Sequence, residues 1–347
     1  MGLFFRRSAT PVKKGRVALF GCNSAVGQVL SLLFKTNPHV EELVCCSTAA
    51  AAAPDGDEMP GYGIAADLSH IDTSPKVHYA ADEDQWPLLL RDAQLIVLCS
   101  GRCFDPLRKD RDIALKEAAP AVRRIMAAVA SSDTKASIAV VSSPVNTLTP
   151  LCAELLKASG KFDPRKLFGV TTLDVIRTRK LVAAALHMNP YDVNVPVVGG
   201  RGGVTACPLI AKTGLRLPLE DIIRISSEVQ SYGAPFETAG GTGSCNALST
   251  EVAPPVALGL AYAACDFCVS LLKAHRGDVG IVECALVEST MRPETPFFSS
   301  RVELGREGVQ RVFPMGTLTS YEHELIEAAV PELARDVQAG IEAATEL

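Results

Sequence analysis

Along the first half of the chain, short apolar runs alternate with stretches of helical periodicity. Residues 16–20 form an apolar run that ends in a glycine-bounded turn, and from 26 to 34 the apolar positions recur at helical spacing. This reads as strand, turn, helix. Residues 43–46, 95–99 and 137–141 supply three further short apolar runs, separated by spacers of loop or helix length. Continuous apolar strands alternating with helices predict a parallel, doubly wound sheet buried on both faces. Beyond residue 150 the pattern changes to longer helices at 173–186, 219–232, 255–273 and 321–344, with shorter strands at 193–198 and 279–286. That change predicts a C-terminal mixed α+β lobe. The chain therefore divides into an N-terminal extension (1–15), a sheet domain of dinucleotide-binding type (16–150) and a second domain (151–347). Two segments interrupt the periodic pattern. Residues 48–63 are rich in Ala, Pro, Gly and acids and read as a mobile surface insertion; near 250–255, Pro254 and Pro255 suit the first turn of the helix that follows.

With 48% hydrophobic and 21% charged residues in 347, the chain can bury a sizeable core. Its net charge of -5 gives no long-range attraction to phosphate backbones, which argues against nucleic acid as a partner. The 11 cysteines sit mostly inside apolar stretches and read as reduced core residues, placing the protein in a reducing compartment. The pair Cys265 and Cys268 lies in an apolar helical run without further ligands at matching spacing, so it reads as packing and no metal is expected. Asp266 interrupts the longest apolar run, so no membrane span is expected. Residues 1–14 are basic, and no acidic residue precedes Glu41. The segment suits mitochondrial import; a solvated basic tail on a cytoplasmic protein is the alternative.

The turn Gly21-Cys22-Asn23-Ser24-Ala25-Val26-Gly27 stands where a dinucleotide loop belongs, between a first strand and a helix N-terminus. Its middle glycine is replaced by Ser24, whose side chain is expected where the phosphates lie. The second strand ends in Ser47, where an acidic residue would hold the ribose hydroxyls and favour NAD over NADP. A neutral hydroxyl offers one hydrogen bond at most there. The turn is either a weakened NAD site or a scaffold that keeps the shape alone.

Four stretches resemble malate dehydrogenases of the mitochondrial and bacterial type. They are Ala66-Asp67-Leu68-Ser69-His70-Ile71, Ser143-Pro144-Val145-Asn146, Phe168-Gly169-Val170-Thr171-Thr172-Leu173-Asp174-Val175-Ile176-Arg177, and Val195-Pro196-Val197-Val198-Gly199-Gly200. Their order covers nearly the whole chain. The resemblance implies the lactate/malate dehydrogenase fold, a Rossmann-like parallel sheet followed by a mixed lobe. It also implies NAD held around Gly21, Ser24, Gly27, Ser47 and Gly101, and a homodimer formed through the helices around 66–70. In that family a neutral histidine takes the hydroxyl proton, an aspartate orients it, arginines grip the carboxylates and an asparagine positions the substrate. By resemblance, Asp174 stands at the aspartate position, Arg177 at one arginine position and Asn146 at the asparagine position.

The sequence departs from the family where the chemistry is sharpest. The family's Gly-Gly-His-x-Gly reads here Gly199-Gly200-Arg201-Gly202-Gly203, so Arg201 occupies the histidine position. A guanidinium has no free lone pair and stays protonated at physiological pH, so it cannot act as the base. In the loop over the substrate, Phe104 and Asp110 take the two arginine positions, removing one clamp and placing a repelling charge at the other. Asp174 without its partner would be a costly buried charge, which predicts a bidentate salt bridge from Arg201. The alternative is a repurposed anion site in which Arg201, Arg177 and Asn146 converge on a small carboxylate or phosphate. The expected function is a malate dehydrogenase homologue without ordinary turnover, serving a structural or regulatory role. An active NAD-dependent 2-hydroxy acid dehydrogenase and a docking module of a larger assembly are the other readings.

Overall fold

The computed structural model describes residues 15–48, 61–80, 82–100, 111–231 and 257–345. Its first half alternates strands and helices as expected: β1 (Gly15–Phe20), α1 (Ala25–Lys35), β2 (Val40–Cys46), α2 (Gly61–Ser69), β3 (Lys76–Ala80), α3 (Trp86–Leu90), β4 (Leu95–Leu98), α4 (Arg111–Ser131), β5 (Ser137–Val140), α5 (Val145–Ala158) and β6 (Leu167–Val170). Two of these strands, β3 and β6, were not announced by the pattern. These six strands pair in parallel in the order β3-β2-β1-β4-β5-β6. In β1, Ala18 and Phe20 belong to one core while Val17 and Leu19 belong to the core on the opposite face. A strand buried on both faces must be apolar at every position, so these runs are continuous rather than alternating.

The second half comprises α6 (Thr172–Ala185), β7 (Val197–Gly199), β8 (Ala206–Pro208), α7 (Leu219–Gln230), α8 (Ala257–Arg276), β9 (Ile281–Arg292), β10 (Thr295–Gly305), β11 (Gly308–Val312) and α9 (Ser320–Thr345). Its strands extend the same sheet: β9 pairs antiparallel with β6, then β10, β7 and β8 follow in order. The lobes are thus joined across one 11-stranded sheet. Pro150 sits within α5.

Several expectations need correction. Residues 61–63, assigned to a surface insertion, form the first turn of α2; the remainder of that insertion, 49–60, lies outside the described residues, as do Pro254 and Pro255. The strand expected over 193–198 is limited to Val197–Gly199, because a 3-10 turn and Pro196 leave the preceding residues off the ladder. The strand expected over 279–286 runs on to Arg292, since pairing with β10 carries it past the polar Glu288 and Ser289. Helix α8 is long and apolar enough to cross a membrane by length and composition, Asp266 notwithstanding. It lies mostly buried, packed against α1 and α6.

Candidate functional site

The strand ends of the parallel sheet carry the first part of the site. At the C-terminus of β1 the chain turns through Gly21, whose φ is 87°, and enters α1 at Ser24. Ser24 takes an extended backbone conformation as the helix N-cap, with its hydroxyl accepting from the Gly27 amide at 2.9 Å and donating to the Cys99 carbonyl at 2.8 Å. The side chain expected among the phosphates is therefore folded inward, where it fixes the helix start. Gly27 is required by contact: a Cβ there would lie 1.9 Å from the Gly21 carbonyl oxygen. The first amides of α1, at Ala25 and Val26, have no carbonyl one turn back to bond, and Ala25 is exposed. Open amides at a positive helix end fit a pyrophosphate.

Ser47 follows β2, half-buried, with its Cβ 3.1 Å from where a Cβ on Gly61 would stand. Arg124 fixes this strand end by donating to the Thr48 carbonyl at 2.9 Å. A dinucleotide ribose placed here would meet a neutral hydroxyl and no carboxylate. The loop and helix end thus fit NAD, and the ribose position fits it more weakly. Gly101 lies outside the described residues, as do Phe104 and Asp110.

The second part of the site lies where β7 ends. Gly199 has a φ of 95°, and a Cβ there would stand 2.2 Å from the Thr205 carbonyl oxygen, so the turn bearing Arg201 folds tightly on itself. Arg201 reaches α6 and donates from Nη1 to Asp174 Oδ1 at 2.9 Å. The side chains are 8% and 0% exposed, so the charge pair is buried. The expected bidentate geometry is corrected: the other carboxylate oxygen, Oδ2, accepts the Gly202 amide at 3.0 Å. The loop thus grips Asp174 twice, once through a side chain and once through its backbone. Asp174 also sits in the first turn of α6, where the helix dipole favours a negative charge. Arg177 stands one turn along the same helix, half-buried, and its Nη1 is shielded from solvent.

Asn146, expected to position substrate, is itself held within the fold. Its Oδ1 accepts the Arg201 amide at 2.7 Å, while its Nδ2 donates to Thr205 Oγ1 at 3.2 Å and to Asp336 Oδ2 at 3.1 Å. Both amide hydrogens are engaged and the residue is 5% exposed. Thr205 in turn donates to the Gly202 carbonyl at 2.6 Å. Of the three residues expected to converge on an anion, Asn146 and Arg201 are joined through the Arg201 amide, and Arg177 stands on α6. Sequence reading missed Asp336 and Thr205. A buried aspartate on the apolar side of α9 is a signal only once the helix is docked.

Among the described residues no group of three or more His, Cys, Asp or Glu side chains is placed to hold a metal. Nine cysteines fall among them, all buried with free thiols.

Comparison with known proteins agrees with this architecture. Residues 15–169 match the lactate/malate dehydrogenase NAD binding domain, and residues 171–344 match the lactate/malate dehydrogenase alpha/beta C-terminal domain. The chain is 35% identical over 329 residues to the glyoxysomal malate dehydrogenase of Citrullus lanatus, covering 94% of this chain and 86% of that protein. It is 35% identical over 357 residues to the mitochondrial malate dehydrogenase 2 of Arabidopsis thaliana, covering 98% of each. It is 34% identical over 329 residues to a malate dehydrogenase of Vibrio parahaemolyticus, covering 94% of this chain and 99% of the relative. A crystal structure of lactate dehydrogenase from Eimeria maxima with NADH and oxamate superposes with a TM-score of 0.70 at 18% identity, over 96% of this chain and 95% of that one, a likeness of fold.

Proposed function

Because the chain belongs to the lactate/malate dehydrogenase family, we propose that it is an NAD-binding member whose malate–oxaloacetate chemistry is shut off at Arg201. The observation that carries this reading is the buried contact of 2.9 Å between Arg201 and Asp174. NAD, when bound, supplies the hydride acceptor. The hydroxyl proton of a 2-hydroxy acid must leave at the same time, and the residue at the family's histidine position is a guanidinium with no lone pair to receive it. Asp174 is poorly placed to replace the imidazole, because it is fully buried and held in place by Arg201 and the Gly202 amide. Loss of a general base lowers rates by roughly 100 to 10,000-fold.

The absence of arginines at positions 104 and 110 supports the same conclusion, since a dicarboxylate would meet Phe104 and Asp110 instead of two clamps. The chain keeps the fold and cofactor loop of an enzyme and serves as a structural or regulatory homodimer. The basic stretch 1–14 and the mitochondrial relative support a mitochondrial location, which fractionation would test.

The deciding experiment follows oxaloacetate-dependent oxidation of NADH by the pure protein, alongside a calorimetric titration with NAD. Binding of NAD with turnover at least ~100-fold below that of the Vibrio parahaemolyticus relative is the expected result. A rate comparable to that relative's would overturn the reading. The 35% identity to malate dehydrogenases over nearly the full chain favours one alternative, an active enzyme in which an ordered water takes the proton. The same assay decides between them.

A further inference from the structure

The end of β2 lies beside the pyrophosphate loop. The Cys46 carbonyl accepts the Gly21 and Cys22 amides, at 2.8 and 3.3 Å, so the next residue, Ser47, stands at the edge of the cofactor turn. A dinucleotide laid over that turn brings its adenosine ribose to this strand end. A carboxylate there selects NAD twice over, by binding the 2′-hydroxyl and by repelling a 2′-phosphate. Ser47 supplies no repulsion, because its hydroxyl is neutral and both donates and accepts.

The charged group that does reach this strand end is a cation. Helix α4 packs Val122, Ile125 and Met126 into the core that also holds Cys46, which brings Arg124 to the same side of β2. Its guanidinium crosses the strand end and donates from Nη2 to the carbonyl of Thr48, the residue after Ser47, at 2.9 Å. Nη1 meets Glu83 Oε1 at 3.3 Å, on the short turn that follows β3. Those two side chains are 38% and 50% exposed, so the pair is weak and competes with water. Nε is shielded from solvent and has no acceptor among the described residues, so the guanidinium is not saturated by the fold. Asp82 and Asp84, on the same turn as Glu83, are exposed, and salt screens their charge.

We propose that this strand end admits the 2′-phosphate of NADP, with Arg124 as the residue that receives it, so that the chain binds NADP and NAD with comparable affinity. A phosphate monoester carries roughly -1.5 to -2 charge at pH 7 and pairs with a guanidinium through short, charge-assisted hydrogen bonds. Glu83 is the group displaced, since a single carboxylate held through one half-exposed contact yields to the larger charge and turns to solvent. The Ser47 hydroxyl donates to the phosphate of NADP, or accepts from the bare 2′-hydroxyl of NAD. Selection between the two cofactors is lost because the repelling carboxylate is missing and a cation stands next to its place.

The inference rests on the dinucleotide-binding reading, and paired titrations let the two fail separately. Calorimetry of the full chain follows NAD and NADP, and alongside them 5′-AMP and adenosine 2′,5′-bisphosphate, which carry the adenosine half alone. NADP affinity within about tenfold of NAD is expected, with the bisphosphate tighter than 5′-AMP. Arg124→Ala should lower the NADP-to-NAD affinity ratio by about tenfold, Arg124→Lys should retain most of it, and Ser47→Asp should lower it by about tenfold or more. The ratio is the readout because a merely structural loss at the strand end weakens both dinucleotides alike. NADP weaker than NAD by more than about tenfold overturns the proposal, as does an Arg124→Ala ratio equal to the parent's. Binding of neither dinucleotide defeats the earlier reading, and the adenosine probes then decide this one. A preference for the bisphosphate that Arg124→Ala removes upholds the phosphate site, and equal binding of the two probes overturns it.

Discussion

The two halves of the site have met substitution in opposite ways. At the cofactor end, Ser24 replaces a glycine, yet its hydroxyl turns inward to cap α1 and anchor the Cys99 carbonyl, leaving the open amides of the helix end in place. At the other end, Arg201 stands where the family resemblance implies a histidine, and its side chain donates to Asp174, joining a network that runs through Gly202, Asn146, Thr205 and Asp336. The first change is absorbed locally because a small hydroxyl can satisfy nearby backbone groups without altering the surface it borders. The second rewrites its surroundings, because a buried fixed charge requires a counter-charge and a carboxylate was already present. Under the proposed function, the comparison separates a substitution that conserves a binding shape from one that removes a chemical capacity.

The comparison would be broken most sharply by removing the counter-charge. Asp174→Asn keeps the acceptor for Gly202 but strands the Arg201 guanidinium, and denaturant unfolding should show stability lower by ~3–5 kcal/mol. A loss under about 1 kcal/mol would mean that the pair does not hold the loop. Arg201→His restores an imidazole beside Asp174. It should raise oxaloacetate-dependent NADH oxidation by about 100-fold over the parent chain, short of full recovery because Phe104 and Asp110 remain. No gain at all would shift the block from Arg201 to the missing clamps.

At the other end, Gly27→Ala places a methyl group against the Gly21 carbonyl. Unfolding should show destabilisation of ~1–3 kcal/mol, and NAD titration should show weakened binding. Ser24→Ala should be milder, costing ~1 kcal/mol through loss of the cap while leaving NAD affinity nearly unchanged. If Ser24→Ala instead removed NAD binding, the serine would be a ligand group, and the contrast between the two ends would narrow.

The first half of the fold was legible in the chain because its strands are buried on both faces and therefore wholly apolar, as in 43–46 and 95–99. The C-terminal strands were harder to read. The polar Glu288 and Ser289 interrupt β9, and β10 with β11 carries no apolar run that announces a hairpin. Those strands exist because partners supply their hydrogen bonds, a long-range condition that local pattern does not encode. In the site, the Arg201–Asp174 pairing followed from charge alone, but its monodentate form did not, since the Gly202 amide competes for the second oxygen. That Asn146 also braces the Arg201 turn was not legible, because an asparagine's sequence context does not say which groups will surround it.

What the sequence determined by itself was the class of fold and the kind of side chain at position 201, both of which follow from residue type: apolar runs must be covered, and a guanidinium has no lone pair at any position. What only the tertiary structure decided was where each polar group turns. Ser24 faces inward, and Asp336 arrives from α9 to complete the Asn146 brace. Hydrogen bonds are directional and short, so their partners are chosen by the packing of elements far apart in the chain.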